Sequence, residues 1–320
     1  MASNYALEFE KPLLELERQI EDLQRLGQEK DFDVAEEARL LQVRLNTLRQ
    51  EIYSNLTPFQ RVQVARHPRR PYTLDYLSTI FTDFIELHGD RLFRDDPAIV
   101  GGWARLAGLS VMVIGHQKGR DAKENLKRNF AMAHPEGYRK ALRLMKLAAK
   151  FGAPVITLID TMGAYPGLGA EERGQSEALA RNILEMAALP TPTVAVVIGE
   201  GGSGGALALG VADRVLMLEN SVYSVITPEG CAAILWKDAT QRERAADALK
   251  LTAQDLLNFQ LIDEVIPEPM GGAHLDPDAT GEALREALVR HVNELRKVRP
   301  EKLVRRRAEK YAAMGAYSEA

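Results

Sequence analysis

The residues best suited to chemistry in this sequence are glycines, which occupy five of the seven positions from 199 to 205. They directly follow an apolar run and precede a short segment that can form a helix. Glycine permits a tight turn with positive φ and lets a ligand approach main-chain N–H groups closely. The first N–H groups of a helix have no internal partner and favour an anion. We therefore expect Gly204 and Gly205 to stabilise an oxyanion, with Gly201, Gly202 and Ser203 contacting the substrate.

A second glycine turn spans residues 160–167 and follows the preceding apolar run, about forty residues upstream. In an α/β sheet, the carboxyl ends of consecutive strands converge on one crevice. N–H groups of Gly163 and Ala164 are therefore expected to face the same oxygen as those of Gly204 and Gly205, and we expect Tyr165 to contact the substrate. Such a site stabilises an enolate without a catalytic side chain. The alternative is that the glycines only permit close packing.

The same glycines also fit the dinucleotide-binding pattern, through Gly199, Gly201 and Gly204. Glu219 even lies about twenty residues further on, where an acid that binds ribose would be expected. However, the stretch from 205 to 214 leaves room for only a short crossover helix. A phosphate-binding loop is excluded, because no Gly-Lys-Ser/Thr follows.

A serine nucleophile is a third interpretation, since Gly201, Ser203 and Gly205 form a G-x-S-x-G pattern. That mechanism needs an acid and then a histidine downstream. The only downstream histidines are His274, in a predicted linker, and His291, on an apolar helix stripe. This interpretation therefore lacks an obvious base.

Three charged or titratable side chains are weaker candidates for the site. Arg105, near the end of a predicted strand, could pair with a carboxylate or be a surface residue. Lys118 lies in a basic loop that could face phosphate or be solvated. His116 follows a predicted buried strand and could polarise the substrate or be structural. We expect Arg105 and Lys118 to contribute to substrate binding.

The elements that would position these residues alternate between strand and helix. Apolar runs predict strands, several of them in adjacent pairs, at 99–106, 111–115, 155–159, 193–198, 215–218 and 222–226. Helices are predicted at 135–151, which begins with proline, and at 170–188. The run at 155–159 is continuously apolar, as in a strand covered on both faces. This order favours an α/β fold built from ββα units.

Both ends of the chain are predicted to be helical. Leu13, Leu16, Ile20 and Leu23 recur at helical spacing, with Gly27 expected to end that helix. Asp33 is expected to start a second helix through a capping box with Glu36, giving an antiparallel hairpin that either packs or binds a partner. Another apolar stripe includes Leu284 and His291, and the basic run 305–307 is expected to be solvated. We predict domains at 1–56, 57–275 and 276–320.

Composition excludes several classes of protein. The 320 residues carry a net charge of −4, which argues against a nucleic-acid binder. The longest uncharged stretch, 186–199, is interrupted by two prolines and is too short to span a membrane. The N-terminus does not resemble an export signal, and the single Cys231 argues against a disulfide or a multi-cysteine zinc site. We expect a cytoplasmic protein.

The sequence resembles the carboxyltransferase α subunit of multisubunit acetyl-coenzyme A carboxylase. The resemblance covers nearly the whole chain and is carried by the segments 65–68, 70–76, 96–106, 113–120, 135–143, 160–174, 199–208 and 226–236. It implies a crotonase-type superhelix of ββα units. It also implies transfer of a carboxyl group from carboxybiotin to acetyl-coenzyme A, which forms malonyl-coenzyme A.

The same resemblance implies that the chain acts with other proteins and holds no covalent cofactor. Carboxybiotin would arrive on a biotin carboxyl carrier protein, and ATP would be consumed by a partner biotin carboxylase. A separate β subunit, in an expected α2β2 assembly, would hold the coenzyme A thioester and carry a zinc ribbon. The resemblance therefore implies no metal in this chain.

Overall fold

The sheet is the framework of the fold. The computed structural model describes residues 5–30 and 33–315, and within them eight strands form one sheet in the order β1-β2-β3-β4-β5-β6-β8, with β7 also paired to β5. The strands are β1 Thr82–Glu86, β2 Ile99–Leu106, β3 Leu109–His116, β4 Val155–Thr161, β5 Thr193–Gly202, β6 Arg214–Leu218, β7 Val222–Ser224 and β8 Glu264–Ile266. The first three are antiparallel neighbours, and all later pairings are parallel.

Helices cover the sheet on both faces. They are α1 Lys11–Lys30, α2 Ala35–Ser54, α3 Pro58–Ala65, α4 Thr73–Ile80, α5 Ala122–Lys127, α6 Pro135–Lys150, α7 Leu168–Glu172, α8 Gln175–Ala187, α9 Ser203–Leu207, α10 Pro228–Trp236, α11 Arg242–Leu249, α12 Ala253–Asn258, α13 Pro277–Leu295 and α14 Pro300–Ala312. Val155 and Ile159 of β4 pack in the core with α6 and α8, whereas Ile156 and Leu158 pack in the core with α4 and α13. This alternation confirms that β4 is covered on both faces.

The N-terminal helices form the predicted hairpin, in which Leu13, Leu16 and Leu45 are buried together. Two details of the prediction are wrong. Gly27 does not end α1; it is buried inside a helix that continues to Lys30, because packing outweighs the roughly 1 kcal/mol cost of a helical glycine. The capping box does not form either. The Asp33 carboxylate instead accepts a hydrogen bond from the Ala35 N–H at 3.0 Å, just before α2.

The predicted helix at 170–188 is two helices. α7 and α8 are separated at Gly174, which has φ +82° and so cannot continue a right-handed helix. The consecutive strands β2 and β3 precede α5, and the consecutive strands β6 and β7 precede α10, as the ββα pattern predicted.

The C-terminal helices lie against the sheet. Leu284, Leu288 and His291 of α13 are buried, as the apolar stripe predicted. The prediction of a solvated basic run is wrong for Arg307, which is 1% exposed although Arg305 and Arg306 are exposed. None of the helices in the described ranges combines the length and the apolar character needed to cross a bilayer. The domain boundaries at 56 and 275 stay a prediction.

Candidate active site

The glycine cluster is mostly strand. Gly199–Gly202 extend β5, which the sequence prediction ended at Ile198, and α9 begins at Ser203. The expected positive-φ turn is therefore wrong for the glycines. The residue in that conformation is Ser203, with φ +54°, at the junction of strand and helix. Glycine is required here instead because other atoms pack closely against these positions.

The two glycine turns are in direct contact. An added Cβ on Gly202 would lie 2.1 Å from the Met162 carbonyl oxygen, and one on Gly205 would lie 2.6 Å from the Ala164 nitrogen. Thr161 of β4 is in register with Gly201 of β5. The expected convergence of the turns is thus observed, and backbone packs against backbone with no room for a side chain.

Three main-chain donors at this contact lack partners among the described residues, although Gly205 itself is buried. The N–H groups of Gly204 and Gly205 lie in the first turn of α9, and within the described residues neither they nor the Ala164 N–H has a hydrogen-bond partner. Gly163 departs from the expectation, because its N–H donates to Thr161 Oγ1 at 3.1 Å. Ala164 is therefore the open donor of the second turn. Partial exposure of Gly204 and Ala164 leaves the site accessible.

Lys118 lies beside the same strand ends. Its ammonium is 2.5 Å from Asp160 Oδ1, which also accepts a hydrogen bond from the Glu200 N–H at 2.9 Å. Although burial alone would lower it, the charge of Asp160 raises the pKa of Lys118 above its ordinary value. The idea of a solvated lysine is therefore wrong. Lys118 is a partly buried cation that fixes the ends of β4 and β5.

An arginine that the sequence analysis did not single out completes this charged network. Arg66 follows α3 and bonds Glu200 Oε1 at 2.6 Å and Glu229 Oε1 at 2.8 Å. The sequence contains one signal for such a partner. Glu200 is a carboxylate within the glycine cluster, and a buried carboxylate needs a cationic partner. Nothing in the spacing indicated which cation that would be.

The other two predicted binding residues occupy different places. Tyr165 lies in the second turn, where its ring stacks on His134 with centroids 4.2 Å apart. Arg105 is not at the site: it bonds Asp83 at 3.1 Å and pairs in register with Ser110, at the start of β3. Ser110 lies six residue steps along the strand from the site edge at His116, which is roughly 20 Å. Arg105 therefore lies at the opposite ends of the strands, away from the glycine turns.

The alternative chemistries find no support in the geometry. Within the described residues, Ser203 Oγ has no hydrogen-bond partner. His274 is buried against His67, and His291 bonds Glu264 at 2.7 Å. A serine nucleophile therefore lacks a base. The crossover helix after the glycines has only five residues, too short for a dinucleotide fold. Across residues 5–30 and 33–315, no cluster of three or more His, Cys, Asp or Glu side chains could hold a metal ion.

His116 is buried at the end of β3 and cannot polarise a substrate at the surface. Burial, with repulsion from Lys118, lowers its pKa to about 3. An unfolded histidine has a pKa of about 6.5, so the unfolded chain takes up a proton that the folded chain rejects as pH falls from about 6.5 to 3. Folding stability is therefore lost over that window.

Acidification from pH 7 to 5 is expected to lower the free energy of unfolding of the original protein by about 2 kcal/mol more than it lowers that of a His116→Gln variant. Urea unfolding at the two pH values measures this difference. Equal pH dependence in both proteins would contradict the assignment.

Comparison with known sequences identifies relatives along the full chain. The family described as acetyl co-enzyme A carboxylase carboxyltransferase-like matches residues 6–315. The acetyl-coenzyme A carboxylase carboxyl transferase subunit alpha of Gemmatimonas aurantiaca is 66% identical over 322 residues, covering 100% of both chains. The protein of the same name from Thermus thermophilus is 58% identical over 313 residues, covering 98% of this chain and 99% of its own.

Solved structures share the fold at low sequence identity. Transcarboxylase 12S superposes with a TM-score of 0.56 at 19% identity, over 70% of this chain and 42% of its own. The β subunit of Pseudomonas aeruginosa geranyl-CoA carboxylase gives 0.55 at 18% identity, over 77% and 46%. These likenesses confirm the crotonase-type α/β fold. With the full-length match in sequence, they show that the chain belongs to the acetyl-coenzyme A carboxylase carboxyltransferase α-subunit family.

Proposed function

We propose that the chain is the α subunit of a carboxyltransferase that moves the carboxyl group of carboxybiotin to acetyl-coenzyme A, forming malonyl-coenzyme A for fatty acid synthesis. The observation that carries this proposal is the contact between Gly205 and the Gly163–Ala164 turn, with unpaired N–H groups on both sides. The names of the relatives supply acetyl-coenzyme A and the transfer of a carboxyl group, and carboxybiotin follows from the family resemblance.

The chemistry needs an oxyanion site more than it needs a reactive side chain. As the N–C bond to the carboxyl group breaks, its electron pair stays on the biotin ureido group and spreads onto the ureido oxygen. N–H groups of Gly204, Gly205 and Ala164 are suited to stabilise that oxygen, and one such donor is typically worth about 3–4 kcal/mol of barrier. The ureido nitrogen takes a proton from the acetyl methyl group, and the resulting carbanion forms the new C–C bond to the released carboxyl carbon.

The remaining predicted residues would shape the pocket around this oxygen. Gly201 pairs with Thr161 and Gly202 packs on Met162. Exposed Ser203 begins the helix that carries two of the donors, and Tyr165 follows Ala164 in the second turn. Lys118 acts by holding Asp160, and through it the Glu200 N–H, in place. Its role is therefore positioning, since its ammonium is already paired.

A partner subunit is part of the proposal. Large apolar side chains are exposed around the carboxyl edge of the sheet, among them Met162, Leu168, Leu207 and Val225. Exposed apolar patches of this kind mark protein interfaces. We assign the coenzyme A thioester to a β subunit in an α2β2 assembly. Carboxybiotin would come from a carrier protein charged by an ATP-consuming biotin carboxylase, all in the cytoplasm.

Reconstitution tests the proposal. The chain alone should show no transfer, and addition of the β subunit with the carboxylated carrier protein should convert acetyl-coenzyme A to malonyl-coenzyme A. Product formation is followed by chromatography. A folded, assembled pair that transfers no carboxyl group would rule the proposal out.

A further inference from the structure

Two arginine side chains meet on one backbone oxygen outside the glycine turns. Arg91, in the loop between β1 and β2, donates from Nη1 to the His88 carbonyl at 2.7 Å. Arg143 of α6 donates from Nη2 to the same oxygen at 3.1 Å and from Nε to the Gly89 carbonyl at 3.0 Å. The two Nη nitrogens are therefore no more than about 6 Å apart, since both bond one acceptor.

Within the described residues, neither Arg91 nor Arg143 forms an ion pair. The nearby acids are committed elsewhere. Asp90 bonds Arg139 at 2.8 Å and accepts three backbone N–H groups of its own loop, while Asp95 bonds Lys140 at 2.6 Å and the Gly89 N–H at 2.7 Å. Burial and then the charge of Arg91 lower the pKa of Arg143, although Asp90 and Asp95 oppose this.

The loop conformation holds Arg91 in this position. Arg91 has φ +66°, a conformation uncommon for a residue with a Cβ, and Gly89 has φ +78°. A Cβ on Gly89 would lie 3.0 Å from Arg91 Nη1, so glycine also leaves space for the guanidinium. The three backbone bonds to Asp90 fix the rest of the turn. The loop conformation and the shared carbonyl acceptor thus hold Arg91 next to Arg143.

Arg143 also lines a groove with a volume of about 340 Å³ between α6 and α8. Its charged lining residues are Arg139, Arg143, Lys146, Arg181 and Glu177. Glu177 pairs with Arg181 at 3.0 Å, and Lys146 pairs with Glu185 at 3.0 Å. The groove therefore offers space for a ligand larger than a single anionic group, and among its lining cations Arg143 alone forms no ion pair within the described residues.

We propose that Arg91 and Arg143 form a binding site for a phosphate group, supplied by a free inorganic polyphosphate or by a nucleotide. Planar guanidinium groups match the geometry of phosphate oxygens, and two of them balance a dianion. The backbone bonds preorganise both side chains, so binding needs little further ordering. The site uses none of the residues assigned to the oxyanion donors and does not depend on the proposed reaction.

Isothermal titration of the full-length chain with inorganic pyrophosphate, at constant ionic strength, tests this site. Saturable binding is expected, and Arg91→Gln and Arg143→Gln should each weaken it by about tenfold or more. Arg285→Gln is the matched control, because it removes an equally charged, exposed arginine that pairs with Glu282 on α13. Its affinity should equal that of the original chain.

Parallel titrations with ADP and coenzyme A distinguish the two sources of phosphate. If ADP or coenzyme A binds more tightly than pyrophosphate, the groove is assigned to the rest of a nucleotide. If both bind equally or more weakly, the site is assigned to inorganic polyphosphate. The absence of saturable binding up to about 10 mM would overturn the proposal. So would unchanged affinity in Arg91→Gln, which alters an exposed loop residue and leaves the core intact.

Discussion

Replacement of Gly205 by alanine is expected to reduce carboxyl transfer by about 10²–10³-fold. The new Cβ would meet the Gly163 carbonyl carbon at 2.5 Å and the Ala164 nitrogen at 2.6 Å. Because both atoms are backbone, no side chain can rotate away, and the two turns must separate. The donors would then no longer converge on one oxygen. Turnover by the reconstituted pair measures the loss.

Gly204→Ala is the matched comparison for this change. Its Cβ would meet only the Leu179 Cδ1 atom at 3.5 Å, an ordinary contact, and its N–H group remains. We therefore expect a loss of less than about tenfold. Thermal melting of both variants separates local displacement from unfolding. If the two variants lost equal activity while folded, contact between the turns would not be the deciding feature.

Replacement of Arg307 by alanine is expected to lower the free energy of unfolding by about 3–5 kcal/mol. The guanidinium bonds both oxygens of Asp213, at 3.0 and 2.8 Å, and the carbonyls of Met186, Leu189 and Thr191. Its removal leaves a buried carboxylate without its counter-charge and takes one donor from each of the three carbonyls, of which those of Met186 and Leu189 keep a backbone donor. Denaturant titration monitored by circular dichroism measures the change.

The neighbouring Arg306 provides the control for that experiment. It is exposed on the same helix, α14, and carries the same charge. Arg306→Ala is expected to change stability by no more than about 0.5 kcal/mol. An equal effect in the two variants would mean that helix propensity or net charge, and not the buried contacts of Arg307, stabilises the C-terminal helix.

Much of the central fold follows from the sequence pattern. The runs at 99–106 and 155–159 predicted β2 and β4 because apolar residues in short stretches bounded by turns are typical of buried strands. β1 gave no such signal, since four of its five residues are exposed at the sheet edge. The break at Gly174 was missed because a single glycine is tolerated in many helices, and only the tertiary fold decides whether it ends one.

The site was predictable in part, for a physical reason. Clustered glycines following apolar runs indicate where backbone must approach backbone, so the meeting of residues 160–167 with residues 199–205 could be predicted. Charge pairing could not, because Arg66 reaches Glu200 across 134 positions. The error at Arg105 has the same origin. The alternation of residues in a strand predicts which face of the sheet an arginine lies on. The end of the sheet at which it lies depends on strand direction, which composition does not encode.

The backbone contact at Gly202 and Gly205 has a consequence for inhibition. A compound that binds the main-chain amides at this surface would find the Ser203 hydroxyl nearby, but within the described residues no base activates it, which disfavours covalent agents. Resistance would also be difficult to acquire, because among substitutions only proline removes a main-chain N–H donor and a larger residue at either glycine would collide with the opposing turn. Reversible compounds that mimic the ureido oxyanion would therefore meet a mutationally constrained target.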